Sequence, residues 1–249
     1  MRYAIISDIH ANLEALSAVL QAVDDLEVDD VYCLGDIVGY GADPDACTRL
    51  VLARSSLVVR GNHDKAVAGL MSLEWFNHAA RAAALWTREN AREETIARVR
   101  ALPQGPREGP EGVLICHGTP FDEDTYLIDR ETVAESFRTL DESHPGVRFC
   151  FHGHTHVPLV AVRDGARGSP RLVRKQGEIE LEEGAAWLIN PGSVGQPRDG
   201  NALASFGILD THRMVYSNLR IAYGVREAQR KMLQAGIPEE LALRLAEGR

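Results

Sequence analysis

Five short apolar runs in the first two thirds of the chain end in polar clusters drawn from the same few residue types. Ser7-Asp8-Ile9-His10 follows Tyr3 to Ile6, Gly35-Asp36-Ile37-Val38-Gly39-Tyr40 follows Val31 to Leu34, and Gly61-Asn62-His63-Asp64 follows Leu57 to Arg60. His117-Gly118-Thr119-Pro120 and Gly153-His154-Thr155-His156 follow the runs Val113 to Cys116 and Val147 to Phe151. Between the first three runs lie segments of helical spacing: Leu13, Leu16, Val19, Leu20 and Val23 after an N-cap candidate at Asn12, then Asp43-Pro44 opening a helix to about Ala53. Strand, helix, strand, helix, strand is the signature of a layered sheet with crossover helices. Loops at the carboxyl ends of such strands line one crevice, so the five tips can converge on a single site.

The remaining segments extend this plan. From Asp64 to about Leu102 the chain is alanine-rich and charged, with Trp75, Phe76, Leu85 and Trp86 as anchors. It reads as a helical insert of two or three helices, in which Arg81, Arg88, Arg92, Arg98 and Arg100 sit among glutamates on a solvated face that would suit a lid or a dimer contact. The Pro and Gly cluster from Pro103 to Gly112 breaks it. A helix is expected near Glu131 to Glu142. Short strands are expected at Leu159 to Val162, Arg171 to Lys175, Glu178 to Leu181, Ala186 to Ile189, Ser205 to Leu209 and Met214 to Asn218. C-terminal helices follow at Val225 to Gly236 and Glu239 to Ala246. An α/β half followed by a strand-rich half predicts two packed sheets with helices outside, in a single domain spanning 1–249.

Composition limits the function. The chain has 249 residues, 45% hydrophobic and 25% charged, the balance of an ordinary globular protein. A formal charge of -9 argues against a nucleic-acid surface, because non-specific affinity for the phosphate backbone comes from lysine and arginine. The first apolar run is too short for a signal-peptide core and no stretch approaches a bilayer span, so a cytoplasmic protein without membrane contact is expected. The four cysteines, Cys33, Cys47, Cys116 and Cys150, form no CxxC pair and read as reduced, buried hydrophobes.

Taken singly, each tip has an ordinary explanation: Asp8 and Asp36 as caps or turn residues, Asn62 as a turn residue, any one histidine as a satisfied core side chain. Their joint recurrence is what that explanation fails to cover. Carboxylate, imidazole and amide oxygen without thiolate suit a divalent ion such as Mn, Fe or Zn. Two aspartates, an asparagine and at least four histidines exceed the needs of one ion and suit two that share a bridging carboxylate. Two ions about 3.5–4 Å apart can clamp a phosphoryl group and activate water for in-line displacement.

In this order the tips resemble the calcineurin-like metallophosphoesterase superfamily, whose pattern reads DxH, GDxxG, GNHD or GNHE, a lone His, and GHxH. The resemblance runs from Asp8 to His156 and implies a four-layer αββα sandwich of two mixed sheets flanked by helices. It also implies that Asp8, His10 and His156 hold one metal, that Asn62, His117 and His154 hold the other, and that Asp36 bridges them. His63 corresponds to the histidine that contacts phosphate and assists the leaving group. The ions expected are Mn2+ or Fe, then Zn2+ or Ni2+. His152 has no counterpart as a ligand and reads as a strand-end or supporting residue, and Gly153 as the turn between strand and site.

Serine/threonine protein phosphatases of the superfamily continue the second motif as GDxVDRG, which supplies an aspartate behind the histidine and an arginine for phosphate. Gly39 and Tyr40 stand at those positions. Asn190-Pro191-Gly192-Ser193-Val194-Gly195-Gln196-Pro197-Arg198 resembles a segment of small bacterial members related to YfcE-like phosphodiesterases and diadenosine tetraphosphatases, and Arg198 is the candidate substrate-binding residue. The expected enzyme hydrolyses a small phosphodiester or nucleotide by attack of a hydroxide bridging the two ions. Phosphomonoester or dinucleoside polyphosphate hydrolysis is the alternative activity, and an interaction module on the same fold the non-enzymatic one, which the intact ligand set disfavours. A repair nuclease would need a basic channel that the charge balance does not offer. The partner expected is a small phosphorylated substrate, and a homo-oligomer is compatible with the sequence.

Overall fold

Alternation in the first strand sets the architecture: Tyr3 and Ile5 point to one face, Ala4 and Ile6 to the other, and all four are fully buried. A strand buried on both faces must lie between two layers. The computed structural model, which describes residues 1–165, 168–173 and 177–249, shows what those layers are. Strands and α-helices are numbered along the chain.

One sheet runs β3 (Leu57–Val58), β2 (Asp30–Cys33), β1 (Arg2–Ile6), β11 (Ala204–Asp210), β12 (Val215–Ile221) and β9 (Glu178–Glu180). The other runs β4 (Arg107–Glu108), β5 (Val113–Ile115), β6 (Phe149–Phe151), β10 (Ala185–Asn190), β7 (Leu159–Asp164) and β8 (Arg171–Leu172). In the first sheet β1, β2 and β3 are parallel, and in the second β5, β6 and β10 are. The carboxyl ends of each set therefore lie along one edge of their sheet.

Between the sheets Tyr3, Ile5, Tyr32 and Leu34 pack with Phe149, Phe151, Trp187 and Ile189. Behind the first sheet Ala4, Ile6, Val31 and Cys33 pack on Leu16 and Val19 of α1 (Leu13–Asp25) and Val51 of α2 (Pro44–Arg54). Behind the second, Leu114, Cys150 and Leu188 pack on Val133, Phe137 and Leu140 of α6 (Arg130–Ser143). Helix, sheet, sheet, helix is the four-layer sandwich expected. Each large apolar side chain taken from water in these layers contributes roughly 1.5–3 kcal/mol.

The insert holds three helices, α3 (Asn62–Ala68), α4 (His78–Asn90) and α5 (Glu93–Arg100). Its arginines are not all solvated: Arg88 donates to Ala66 O and Arg100 to Ala68 O, covering the last carbonyls of α3. Ala66, Val67, Leu73, Ala84 and Val99 join the core behind the first sheet, which makes the insert part of the helical layer. At its other side α4 packs on α7 (Val225–Gln234) and α8 (Glu239–Glu247), with Ala80, Ala83, Met232, Leu241 and Leu245 around Tyr40.

Boundaries differ from the sequence reading at several strand ends. β3 keeps two residues, β12 extends to Ile221 because Phe206 and Ala204 still pair with Leu219 and Ile221, and β4 lies inside the Pro103 to Gly112 break. The expected strand Arg171 to Lys175 starts as β8, and positions 174–175 lie outside the described residues. All four cysteines are free and buried, and no helix among the described residues is long and apolar enough to cross a membrane.

Trp187, 1% exposed at the centre of the inter-sheet core, is the most demanding side chain there. Trp187→Ala should lower the unfolding free energy by about 3–5 kcal/mol in urea titration. Leu243→Ala, at a side chain 53% exposed, should change it by under about 0.5 kcal/mol.

Candidate metal centre

The strand tips are held in conformations that most residues avoid. Asp8 (φ 53°), His10 (49°), Asp36 (52°), His154 (66°) and His156 (61°) all occupy the left-handed region. Such a non-glycine residue costs of order 1–3 kcal/mol and persists where its surroundings over-determine it, a pattern that collects at functional sites.

Those surroundings are visible. Asp8 N–H donates to Gly35 O at 3.1 Å and His10 N–H to Asp36 O at 2.9 Å, so the loops after β1 and β2 run side by side. On the other sheet Gly153 N–H donates to His117 O at 2.8 Å. His154 N–H then reaches across to the Asp8 carboxylate at 3.2 Å. Gly153 serves that close approach, since a Cβ there would collide with Ser7 Oγ; its own φ is not positive, so the turn does not require glycine.

The structure brings the sequence candidates into two groups. Donor atoms of Asp8, His10, Asp36 and His156 lie within 4.8 Å of one another, as do those of Asp36, His117 and His154. Asn62 Oδ1 joins the second group, 3.2 Å from His117 Nε2. Asp36 is common to both, its Oδ2 lying 3.7 Å from His10 Nε2 and 3.4 Å from His117 Nε2. Among the described residues, no cysteine takes part in either group.

Hydrogen bonding at the far ring nitrogens fixes what the near ones offer. The Nδ1 atoms of His10, His117 and His156 meet the carbonyls of Val38, Leu34 and Gln196 at 3.3, 2.8 and 2.6 Å. A carbonyl only accepts, so each Nδ1 carries the proton and, in the neutral ring, each Nε2 presents a lone pair. His10 Nε2 and His156 Nε2 then face each other at 3.1 Å, lone pair to lone pair, an arrangement that calls for a cation. For His154 the polarity reverses: Nε2 meets Asp124 O at 3.1 Å, which leaves Nδ1 as the free lone pair.

Electrostatics point the same way. Burial pushes His10 and His156 well below the usual imidazole range and His154 down to about 3, so all three are neutral donors. Burial lifts the Asp8 carboxyl to about 6, against His117, with Asp36 adding to the rise. At Asp36 burial acts upward too, but His117, His63 and His10 hold the group well below the carboxylate range. Burial would lower His117; Asp36, with its hydrogen bond, overrides it and draws the ring up to about 10. Positive charge is wanted beside Asp36. Carboxylate, imidazole and amide donors fit hard or borderline divalent ions there.

The other candidates fall around this centre. His63, in the first turn of α3, donates its backbone N–H to Asp36 Oδ1 at 2.8 Å, and its ring lies 4.3 Å from Tyr40 and 4.8 Å from both His10 and Phe76. Burial takes its pKa down to about 4, so the ring is not poised near neutrality. Arg198 is half-buried beside Tyr40, with Nη2 3.0 Å from Gln196 Oε1 and its guanidinium 5.8 Å above the Tyr40 ring. His152 is fully buried; its Nδ1 accepts from Asn190 Nδ2 at 3.3 Å, while Asn190 also donates to Gly153 O at 2.7 Å. It supports the loop that carries His154 and His156.

Sequence reasoning passed over several residues that shape the site. Asp64 ends the Gly61-Asn62-His63-Asp64 motif; its Oδ1 accepts from Ile37 and Val38 N–H at 3.0 and 3.2 Å and its Oδ2 from Gly61 N–H at 3.0 Å, locking the Asp36 loop to α3. Ser193 Oγ and Gly195 N–H both donate to Asp8 O, and Asn12 Nδ2 to Gly195 O, so the Asn190 to Arg198 segment backs the first tip. Tyr126 stacks on His154 at 3.7 Å from a loop anchored where Arg60 and the buried Lys65 ion-pair with Glu123. The motif positions of Asp64 and of the Asn190 to Arg198 segment were visible in the sequence, whereas the loop carrying Tyr126 gave no signal.

A family profile for the calcineurin-like phosphoesterase superfamily domain matches residues 1–214. The chain belongs to this superfamily. Its members' chemistry makes it a phosphoric ester hydrolase. An uncharacterized protein of Methanocaldococcus jannaschii is 38% identical over 249 residues, 99% of this chain and 98% of that one. The crystal structure of a metallophosphoesterase from Sphaerobacter thermophilus is also 38% identical, covers 100% of this chain and 99% of its own, and superposes with a TM-score of 0.85. A hypothetical protein of Pyrococcus horikoshii shares the fold at 19% identity, TM-score 0.79, covering 100% of this chain and 98% of its own.

Metal content measured on purified variants tests the geometry. Asp36→Asn should lose metal from both groups of a superfamily member built this way and abolish turnover. His154→Ala should lose roughly half the metal. His152→Ala should keep the full content and cost far less activity than His154→Ala or His156→Ala, while lowering thermal stability.

Proposed function

We propose that the protein is a binuclear metal-dependent phosphodiesterase acting on a small phosphodiester or nucleotide. Asp8, His10 and His156 form one ligand set, Asn62, His117 and His154 the other, and Asp36 belongs to both. Mn2+ or Fe are the ions we favour. The chemistry that such a pair supplies when bound is activation of water as nucleophile and neutralisation of the phosphoryl oxygens.

One observation carries the preference for diesters: the cleft over the centre has two arms. An arm of about 400 Å³, lined by Asn62, His63, Phe76 and His154, meets one of about 570 Å³, lined by Arg198 and Arg244, at Tyr40, Asn77 and Tyr126. A diester carries two substituents, one for each arm, whereas a monoester would leave one arm empty. Tyr40 also stands where the related protein phosphatases place a phosphate-binding arginine, and a monoester dianion gains more from a dedicated cation than a diester does.

The remaining residues divide the work. His63 Nδ1 is buried without a hydrogen-bond partner, whereas no such exclusion applies to Nε2 and the ring lines the cleft. Nδ1 faces Gly39, so no carboxylate stands behind this ring from that position. A neutral ring in that setting keeps its proton on Nε2, where it donates a hydrogen bond to the departing oxygen. His63 thus works as a neutral donor whose pKa burial has lowered, not as a pre-charged acid. Arg198, held beside Tyr40 and Gln196, supplies positive charge to the larger arm.

Hydrolysis of bis-p-nitrophenyl phosphate by metal-loaded protein should exceed that of p-nitrophenyl phosphate in kcat/KM; a strong monoester preference would overturn the reading. His63→Asn should retain metal and lower kcat by about 10²–10³. Arg198→Ala should raise KM about tenfold, and unchanged KM and kcat would remove its role.

A further inference from the structure

We propose that the smaller arm of the cleft is a base-stacking site in which Trp75 receives the nucleobase of a nucleotide ester. The proposal rests on the phosphodiesterase reading for the position of the phosphate and adds the substrate class. Trp75 is 86% exposed, more than any other large apolar side chain among the described residues, yet it lines the same cleft as Asn62, His63 and His154. A tryptophan left in water forgoes the burial that makes the residue useful in a core, so its place at a catalytic cleft calls for an occupant.

The segment that presents it is not loose. Leu73, only 9% exposed, anchors one side, Ser72 Oγ accepts from Glu74 N–H at 3.2 Å, and Asn77 Oδ1 caps α4 from Ala80 N–H at 2.9 Å. Two further rings line the same arm and touch the tips. Phe76 meets His63 edge-on at 4.8 Å, and Tyr126, 45% exposed, stacks on His154 at 3.7 Å with its planes 22° apart. Aromatic surface therefore runs from the open rim to residues of both the His63 and His154 tips.

Charge distinguishes this arm from its neighbour. Among the described residues Asp124 is the one carboxylate in its lining and no lysine or arginine lines it, whereas Arg198, Arg244 and Arg249 line the other and outnumber its Glu240 and Glu247. An aromatic arm without cationic side chains suits a flat π-system, while polyphosphate or sugar phosphate belongs with the arginines. Base stacking on one aromatic side chain is worth about a tenfold change in affinity.

Binding of AMP and of ribose 5-phosphate to the metal-loaded protein by calorimetry tests the proposal without needing turnover. AMP should bind about tenfold more tightly. Trp75→Ala should erase that difference while leaving ribose 5-phosphate unchanged, and Trp75→Phe should retain most of it. Equal binding of the two ligands by the native protein, or an AMP affinity untouched by Trp75→Ala, would overturn it. So would a variant whose oligomeric state changed and whose AMP affinity did not, which would assign the indole to a protein contact. If AMP shows the preference and no diester is hydrolysed, the base site stands and the phosphodiesterase reading falls. If diesters are hydrolysed with equal KM whether or not they carry a base, the reverse holds.

Discussion

Two carboxylates and four imidazoles sit together at the base of one cleft, almost entirely out of water, and burying such groups is expensive unless charge and hydrogen bonds are matched. Here the matching is done largely by the backbone. Three carbonyls set the tautomers of His10, His117 and His156, backbone N–H groups at His63 and His154 meet the carboxylates of Asp36 and Asp8, and Asp64 holds the second loop through three further N–H donors. What the chain leaves unmatched is a pair of facing lone pairs and a strongly anionic Asp36. That remainder suits a divalent cation, which either group of donors could hold.

The fold explains why the arrangement can be held at all. Positive φ at five tip residues is a local cost, and it is offset by layers that cannot shift independently. β1 fixes Asp8 and His10 only because Tyr3 and Ile5 are packed on the opposite sheet while Ala4 and Ile6 are packed on helices. The segment from Asn190 to Arg198 leaves the second sheet and returns hydrogen bonds to the Asp8 backbone of the first. Rigid scaffold and strained tips are thus one arrangement, with the functional side chains on short loops between well-packed strands.

What the sequence revealed follows from which signals are periodic. The apolar run Tyr3 to Ile6 and the helical spacing in Leu13 to Val23 are local signals, and an α/β half followed by a strand-rich half predicted two sheets with helices outside. The five polar tips could be read because they repeat the same chemistry after successive strands. Contacts such as Arg60 with Glu123, 63 residues apart, have no periodicity, so the loop that carries Asp124 and Tyr126 to His154 was not foreseen. The tautomer of each histidine and the left-handed φ values depend on backbone groups that no side-chain pattern reports. β4 was missed because two exposed residues become a strand only through pairing with Leu114 and Ile115. The insert's arginines read as solvated because nothing local announces that Arg88 and Arg100 close the end of α3.

The provenance of the ligand residues has a mechanical meaning. Asp8, His10, Asp36 and Asn62 stand on tips of one sheet, and His117, His154 and His156 on tips of the other, so each group of donors draws from both. An ion held in either group would fasten the two sheets together at their open edge, in the manner of a clasp. Metal affinity and the cohesion of the sandwich would then be a single linked quantity. A substitution deep between the sheets, far from any donor atom, would be felt at the centre as a change in grip.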